Sequence, residues 1–268
     1  MPRVISWFSC GAASAYATYL AMQKYPELEI AYCYVKQEHP DNMKFLKEFE
    51  VKFNVKIKTL ISKKYPTGDI NDVFRRRQFI KAPRGAPCTL ELKKKVRKDY
   101  QLPTDVHIFG YTVEEYDRET DLLHGEPNLN LDSILLSHGI TKNDCYHWLK
   151  EQGFKIPTMY QLGYDNNNCI GCVKGGMGYW NAIRKDFPDR FEETAKLERE
   201  LGYSINKEEL GEEIMPDGKV KKIFGPVYLD ELEPNRGNFK RDQPLACGFT
   251  CEWEQRTMDF TTTNGENK

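Results

Sequence analysis

Five cysteines carry the spacings from which metal or redox chemistry is read. "NNCIGCVKGG" holds Cys169 and Cys172 as a C-x-x-C among glycines, a setting that lets backbone amides turn toward sulfur; "CGFTCEW" adds Cys247 and Cys251, and "APCTLELKK" adds Cys88. A single C-x-x-C fits a redox dithiol, half of a zinc site or half of an iron-sulfur site. A second pair favours metal, so Cys88, Cys169, Cys172, Cys247 and Cys251 are the candidate ligands. Cys33, inside an apolar strand, reads as core, and Cys145, in "NDCYHWL", as helix packing. The histidines at 39, 107, 124, 138 and 147 show no H-x-x-x-H spacing and are set aside as ligands.

A second constellation lies at the other end of the chain. In "WFSCGAASAYATYLA" an apolar strand runs into small residues and then into a helix. Small residues at such a turn let backbone N–H groups approach an anion, and the helix N-terminus adds unpaired donors and a favourable dipole. Ser9 and Ser14 supply hydroxyls, Gly11 permits the turn, Ala12 and Ala13 leave room, and Cys10 sits within the loop as either a packed or a functional thiol. No Gly-Lys-Ser/Thr follows, which excludes a Walker loop, and one glycine is too few for a dinucleotide fingerprint.

Between Phe74 and Lys98 there are ten basic residues against one acid, Glu91. About half of a helical run of charges is a solvated face. The remainder suits a polyanionic ligand, either a nucleotide or a nucleic-acid backbone.

The elements that must position these groups follow from hydrophobic period. Residues 3–9, 28–35, 55–61 and 105–112 read as strands, and 14–24, 42–53 and 90–100 as helices between them. Alternation of this kind predicts an α/β doubly wound, mostly parallel sheet, with ligands beyond the carboxyl ends of the strands. The loops 9–14, 36–42 and 110–118 then face one crevice. The nucleotide-binding core is placed at 1–125 and a helical, cysteine-containing lobe at 126–255, with helices near 141–152 and 178–200; 256–268 reads as a frayed tail. The 268 residues carry a net charge of -1 from 39 basic and 40 acidic side chains, so any anion-binding surface must be local. No apolar run reaches the roughly 20 residues of a membrane span and the N-terminus lacks a signal-peptide pattern. The expectation is a soluble, cytoplasmic protein with no membrane partner, in which eight cysteines serve chemistry more than disulfides.

The order of these pieces resembles the phosphoadenosine phosphosulfate (PAPS) reductase-like family of the adenine nucleotide alpha-hydrolase, or PP-loop, superfamily, over roughly residues 3–180. "FSCGAAS" resembles the family's S-x-G-x-x-S, which places Ser9, Gly11 and Ser14 around a phosphate or sulfate. "EHPDN" resembles its Pro-acidic segment and implies Glu38 and Asp41 near the nucleotide. "RGAPCTLELKK" resembles the neighbourhood of a cluster cysteine and anion-binding lysine, here Cys88 with Lys93 or Lys94. "GYTVEEYDR" resembles the Gly, Glu, Arg strand-end motif, which carries over Gly110, Glu115 and Arg118. The stretch from Tyr146 to Cys172 resembles the helix, Ile-Pro turn, Gly-Tyr and C-x-x-C of the iron-sulfur sulfonucleotide reductases. Three departures stand beside it. Pro87 replaces the first of two adjacent cysteines, "ACGFTCEW" keeps only Cys-Gly of a terminal Glu-Cys-Gly-Leu-His, and Ala13 stands where the ATP-cleaving loop has aspartate.

The resemblance implies a 4Fe-4S enzyme binding ATP, adenylyl sulfate (APS) or PAPS. In sulfonucleotide reduction the Cys247 thiolate attacks the sulfate sulfur and expels the nucleotide, Glu115 and Arg118 line the crevice, and an external thiol then releases sulfite. The alternative within the superfamily is ATP-dependent thiolation of DNA or tRNA, by adenylation of an oxygen followed by displacement with sulfur from a donor. A reading of another class is a non-catalytic nucleotide or nucleic-acid binding module whose lobe is held by structural zinc.

Overall fold

The computed structural model describes residues 2–82, 85–216 and 218–247. Its centre is a parallel sheet of strands β1 (Val4–Trp7), β2 (Leu28–Cys33), β3 (Ile57–Leu60), β4 (Val106–Ile108) and β5 (Asn130–Leu131), in the order β3-β2-β1-β4-β5. The chain steps outward from β1 to β3, then returns to lay β4 on the other side of β1. This is the doubly wound arrangement expected from the alternation of strand and helix.

The pleat sorts side chains to two faces. Val4, Ile30 and Ile108 join the helices α1 (Ala12–Lys24) and α2 (Asp41–Phe53) in one apolar layer. Ile5, Trp7, Ala31 and Cys33 point to the other, where Phe109 and Tyr111 join them. Helices α3 (Ile70–Arg77), α4 (Pro87–Thr89), α5 (Lys95–Tyr100) and α6 (Tyr116–Gly125) follow. Between α4 and α5 the run continues through a π-helical turn, Leu90–Lys94. Such turns insert a residue and are frequent at functional sites. Cys33 is buried as expected, with burial pushing its thiol pKa up to about 12, and Cys145 is likewise buried, pushed up to about 12.

Several elements differ from the sequence expectation. β5 lies on the sheet edge, and α7 (Ile134–Ser137) and α8 (Lys142–Glu151) supply Ile134, Leu135, Trp148 and Leu149 to the layer around α1. The layered core therefore runs on past residue 125, where its end was placed. After α9 (Thr158–Gln161), the single helix expected at 178–200 is two, α10 (Met177–Asp186) and α11 (Pro188–Leu201). Pro188 forbids the α conformation at Phe187 but suits the first turn of the next helix. Strands β6 (Asn206–Ile214) and β7 (Val220–Val227) then form an antiparallel hairpin. Its two roots are tied by buried Glu198, whose carboxylate accepts the backbone N–H of Ile205 and, at 2.6 Å, of Leu229; burial raises its pKa to about 7. No helix among the described residues is long and apolar enough to cross a membrane.

His107 on β4 shows what the sheet does to a titratable group. It is 0% exposed, stacks on Trp7 and Phe109, and accepts the Trp7 Nε1–H at 2.9 Å. Burial, with Arg97 nearby, lowers its pKa from 6.5 to about 4. The unfolded chain therefore binds the extra proton between those values, so the stability is complete above the unfolded pKa and is lost as pH falls through the folded one. Urea unfolding at pH 7 and pH 4.5 is expected to show His107→Gln losing about 2–3 kcal/mol less than the parent on acidification. Equal acid losses in the two proteins would remove His107 as a source of acid sensitivity.

Candidate functional site

The crevice opens where the strand order reverses, between the loops that follow β1 and β4. Cys10 is buried with φ at 57°, a left-handed conformation that is uncommon outside glycine and clusters at functional sites. It turns the chain so that Gly11 caps α1 with no side-chain bond of its own. The Ser14 hydroxyl closes the loop. It accepts from the Ser9 N–H and Ser9 Oγ–H, both at 3.0 Å, and donates to the Gly11 carbonyl at 3.0 Å. Ser14 is thus buried and shapes the cradle, whereas Ser9 is the exposed hydroxyl of the pair. Gly110 seats the β4 loop on the same helix start, since a Cβ there would stand 2.5 Å from the Ser14 backbone nitrogen.

A buried polar chain leads inward from this loop. The Asn167 amide donates at 2.7 Å to the Cys10 carbonyl and at 2.7 Å to Asn42 Oδ1. Asn42 donates to Glu38 at 2.9 Å, the Tyr32 hydroxyl donates to the same carboxylate at 2.7 Å, and Lys93 Nζ reaches its other oxygen at 3.0 Å. Burial pulls the Lys93 pKa down, but Cys247 and Glu38 outweigh it and hold the ammonium well above its ordinary value. The π-helical turn decides which lysine does this. Lys93 is buried in the site, whereas Lys94 lies on the side that carries Glu126. Asp41 accepts from the Thr158 hydroxyl and pairs with Lys44 at 3.3 Å, and these bonds hold its carboxyl below the usual range.

The cysteines gather on the far side of Lys93. Gly171, with φ at 68°, turns the C-x-x-C, and the Tyr179 hydroxyl fixes it by accepting the Cys172 N–H at 2.8 Å. The Ile170 N–H donates to the Gln37 carbonyl at 2.9 Å, which ties this turn to the loop after β2. Cys88 packs against the apolar cluster that contains Cys169 and Cys172. The segment ending in Cys247 arrives from α10. Asp242 holds the Gly178 N–H at 2.7 Å, the Asn168 amide donates to the Leu245 carbonyl at 3.1 Å, and the Cys247 N–H donates to Asn168 Oδ1 at 2.8 Å. Thr89, next to Cys88, lies 3.5 Å from Cys247 Sγ. Burial pushes the thiols of Cys10 and Cys169 up, with Glu38 adding to both. Burial acts the same way on Cys247, yet Lys93, Lys174 and the Thr89 hydroxyl bring it below the ordinary thiol value. Among the described residues, no group of three or more His, Cys, Asp or Glu side chains is arranged to hold a single metal ion. Cys251 lies outside the described residues.

Glu115 and Arg118 pair with each other, and Arg118 donates to the Ala246 carbonyl at 2.9 Å, just before Cys247. Much of the basic window pairs with acidic side chains, in part buried and in part at the surface. Arg75 pairs with Glu200, Arg77 and Lys95 with Glu91, Lys93 with Glu38, and Arg97 and Lys98 with Glu126. These pairs offset part of the positive charge counted along the chain. Sequence reasoning passed over Tyr32, Asn42, Tyr160, Asn167 and Asn168, of which the run of asparagines beside the C-x-x-C was the visible sign. No protein-family model matches the chain, and no curated protein matches it.

Proposed function

We propose that this chain is an adenine-nucleotide-binding, iron-sulfur enzyme of the PAPS reductase-like kind, working in sulfonucleotide reduction or sulfur transfer. The carrying observation is the buried chain from the Cys10 carbonyl through Asn167, Asn42 and Glu38 to Lys93, which makes the anion loop and the cysteine neighbourhood one unit. The pairing of Arg77, Lys93 and Arg97 with buried or half-buried carboxylates leaves fewer cations for a polyanion and favours a small nucleotide over DNA or tRNA as the substrate.

Cys88, Cys169, Cys172 and Cys247 are the thiols that would hold a cluster. Their donor set fits: all are sulfur, Cys169 and Cys172 are buried, and Tyr179, Asn168, Thr89 and Lys93 supply the surrounding hydrogen bonds and positive charge that orient ligands and offset thiolate charge. Cys247 falls to the ligand set because its neighbours Thr89 and Asn168 adjoin Cys88 and Cys169. When bound, the cluster would supply redox-active iron beside the nucleotide. The chain's own part is to bind the anion on loop amides and Ser9, and to stabilise charge developing on it with Lys93.

Protein purified without oxygen is expected to contain iron and labile sulfide at about four each per chain. Cys169→Ser and Cys172→Ser should each lose both, whereas Cys33→Ser keeps them. Zinc without sulfide, from cells grown with ample iron, would sink the cluster and leave a structural staple.

A further inference from the structure

Two side chains from the segment between α8 and the C-x-x-C stand over the anion loop. The Tyr160 hydroxyl oxygen accepts the Ala12 N–H at 3.4 Å. It lies 3.3 Å from where a Gly11 Cβ would be, beside the Ser9 hydroxyl. Burial pushes the hydroxyl's pKa up to about 12, so it keeps its hydrogen and can donate it. Asn167 is 9% exposed and spends both amide hydrogens on Cys10 and Asn42, while its Oδ1 is buried without a hydrogen-bond partner. A buried carbonyl oxygen of this kind seeks a donor, because it has given up water without gaining a partner. One donor and one acceptor are thus held against the same loop by backbone bonds on a rigid support.

We propose that Tyr160 and Asn167 form the roof of the nucleotide site and set its substrate class as a ribonucleoside phosphate or sulfate. Tyr160 donates to a phosphoryl or sulfuryl oxygen resting on the Ser9–Ser14 loop. Asn167 Oδ1 accepts from a hydroxyl of the same ligand's ribose. The assignment rests on the nucleotide reading above and adds two binding residues to it.

Titration calorimetry with adenosine 5′-monophosphate, adenosine and 2′,3′-dideoxyadenosine 5′-monophosphate separates the parts. Tyr160→Phe is expected to weaken the monophosphate by about tenfold or more while leaving adenosine unchanged, because a hydrogen bond to a charged oxygen is lost. A packing role for the ring would move both ligands alike or neither. The parent should prefer the monophosphate over its dideoxy analogue by about three- to tenfold, and Asn167→Ser should erase that preference. Ser14→Ala serves as the loop control, expected to weaken both phosphorylated ligands. If Ser14→Ala loses affinity while Tyr160→Phe and Asn167→Ser keep both preferences, the roof is overturned and the loop stands. If the parent binds none of the three, nor ATP or adenylyl sulfate, the nucleotide reading falls and the roof with it. Thermal melts of Tyr160→Phe near the parent's confirm that affinity is read on folded protein.

Discussion

Lys93→Met is expected to lower the free energy of unfolding by about 3–5 kcal/mol, the range for breaking a buried ion pair by removing one partner. Glu38 would remain in place, 7% exposed, with Tyr32 and Asn42 as its remaining donors. Neutral donors do not replace an ammonium in a setting where the carboxylate has lost most of its water. The neighbouring Lys94→Met is the control: that side chain is half-buried near Glu126, and its loss is expected to cost under about 1 kcal/mol. Denaturant unfolding of both variants measures the difference. The double variant Glu38→Gln with Lys93→Met should recover much of the loss, because a pair removed together leaves no lone buried charge. A small, equal loss in both single variants would mean that the pair does not form.

Gly110→Val is expected to be the most damaging single change to the crevice. Even a methyl group would stand 2.5 Å from the Ser14 nitrogen, 2.7 Å from the Ala13 carbonyl carbon and 2.8 Å from the Ser14 Cα. All three are backbone atoms at the start of α1, so no flexible side chain can yield. Relief requires the β4 loop and the helix start to separate, at a cost of about 1–3 kcal/mol for alanine and more for valine. The same separation would open the cradle, so adenine-nucleotide affinity should fall by a larger factor than stability alone explains. Gly125 makes the contrast. Nothing stands within 4 Å of its Cβ position, and Gly125→Ala should be neutral or stabilising by up to about 1 kcal/mol. Melting temperature and calorimetric affinity on the two variants test both halves. A Gly110→Val protein that binds nucleotide like the parent would show that the loop and the helix are not held together there.

Of these two residues only the glycine was legible in the sequence, through the likeness of "GYTVEEYDR" to a strand-end motif, and four of the strands announced themselves by short apolar runs. Lys93 could not be separated from Lys94 by pattern alone, because ordinary helical period does not reveal a π-helical turn. β5 was missed because two residues carry no period, and α3 because "INDVFRRR" buries only one stripe beneath its charges. The hairpin was missed for a related reason: Leu210, Ile214, Val220, Ile223 and Phe224 are exposed on it, so alternation there does not mark an inside and an outside. Charge counts along the basic window are blind to partners such as Glu126 and Glu200, which arrive from distant segments. Likewise, no local motif could show that Asn167 reaches back to Cys10, a separation of 157 residues.

That long reach has a consequence for how the protein is made. The sheet draws on the first half of the chain and can form while the ribosome is still working, since N-terminal portions fold first during synthesis. Cys88 and the C-x-x-C, however, meet Cys247 only after the segment running from Asn238 through Asp242 has emerged and seated on α10. Until then the nascent chain presents a finished scaffold with its thiols unescorted. Any cofactor that these thiols hold together would therefore have to load after the chain has been translated past Asp242.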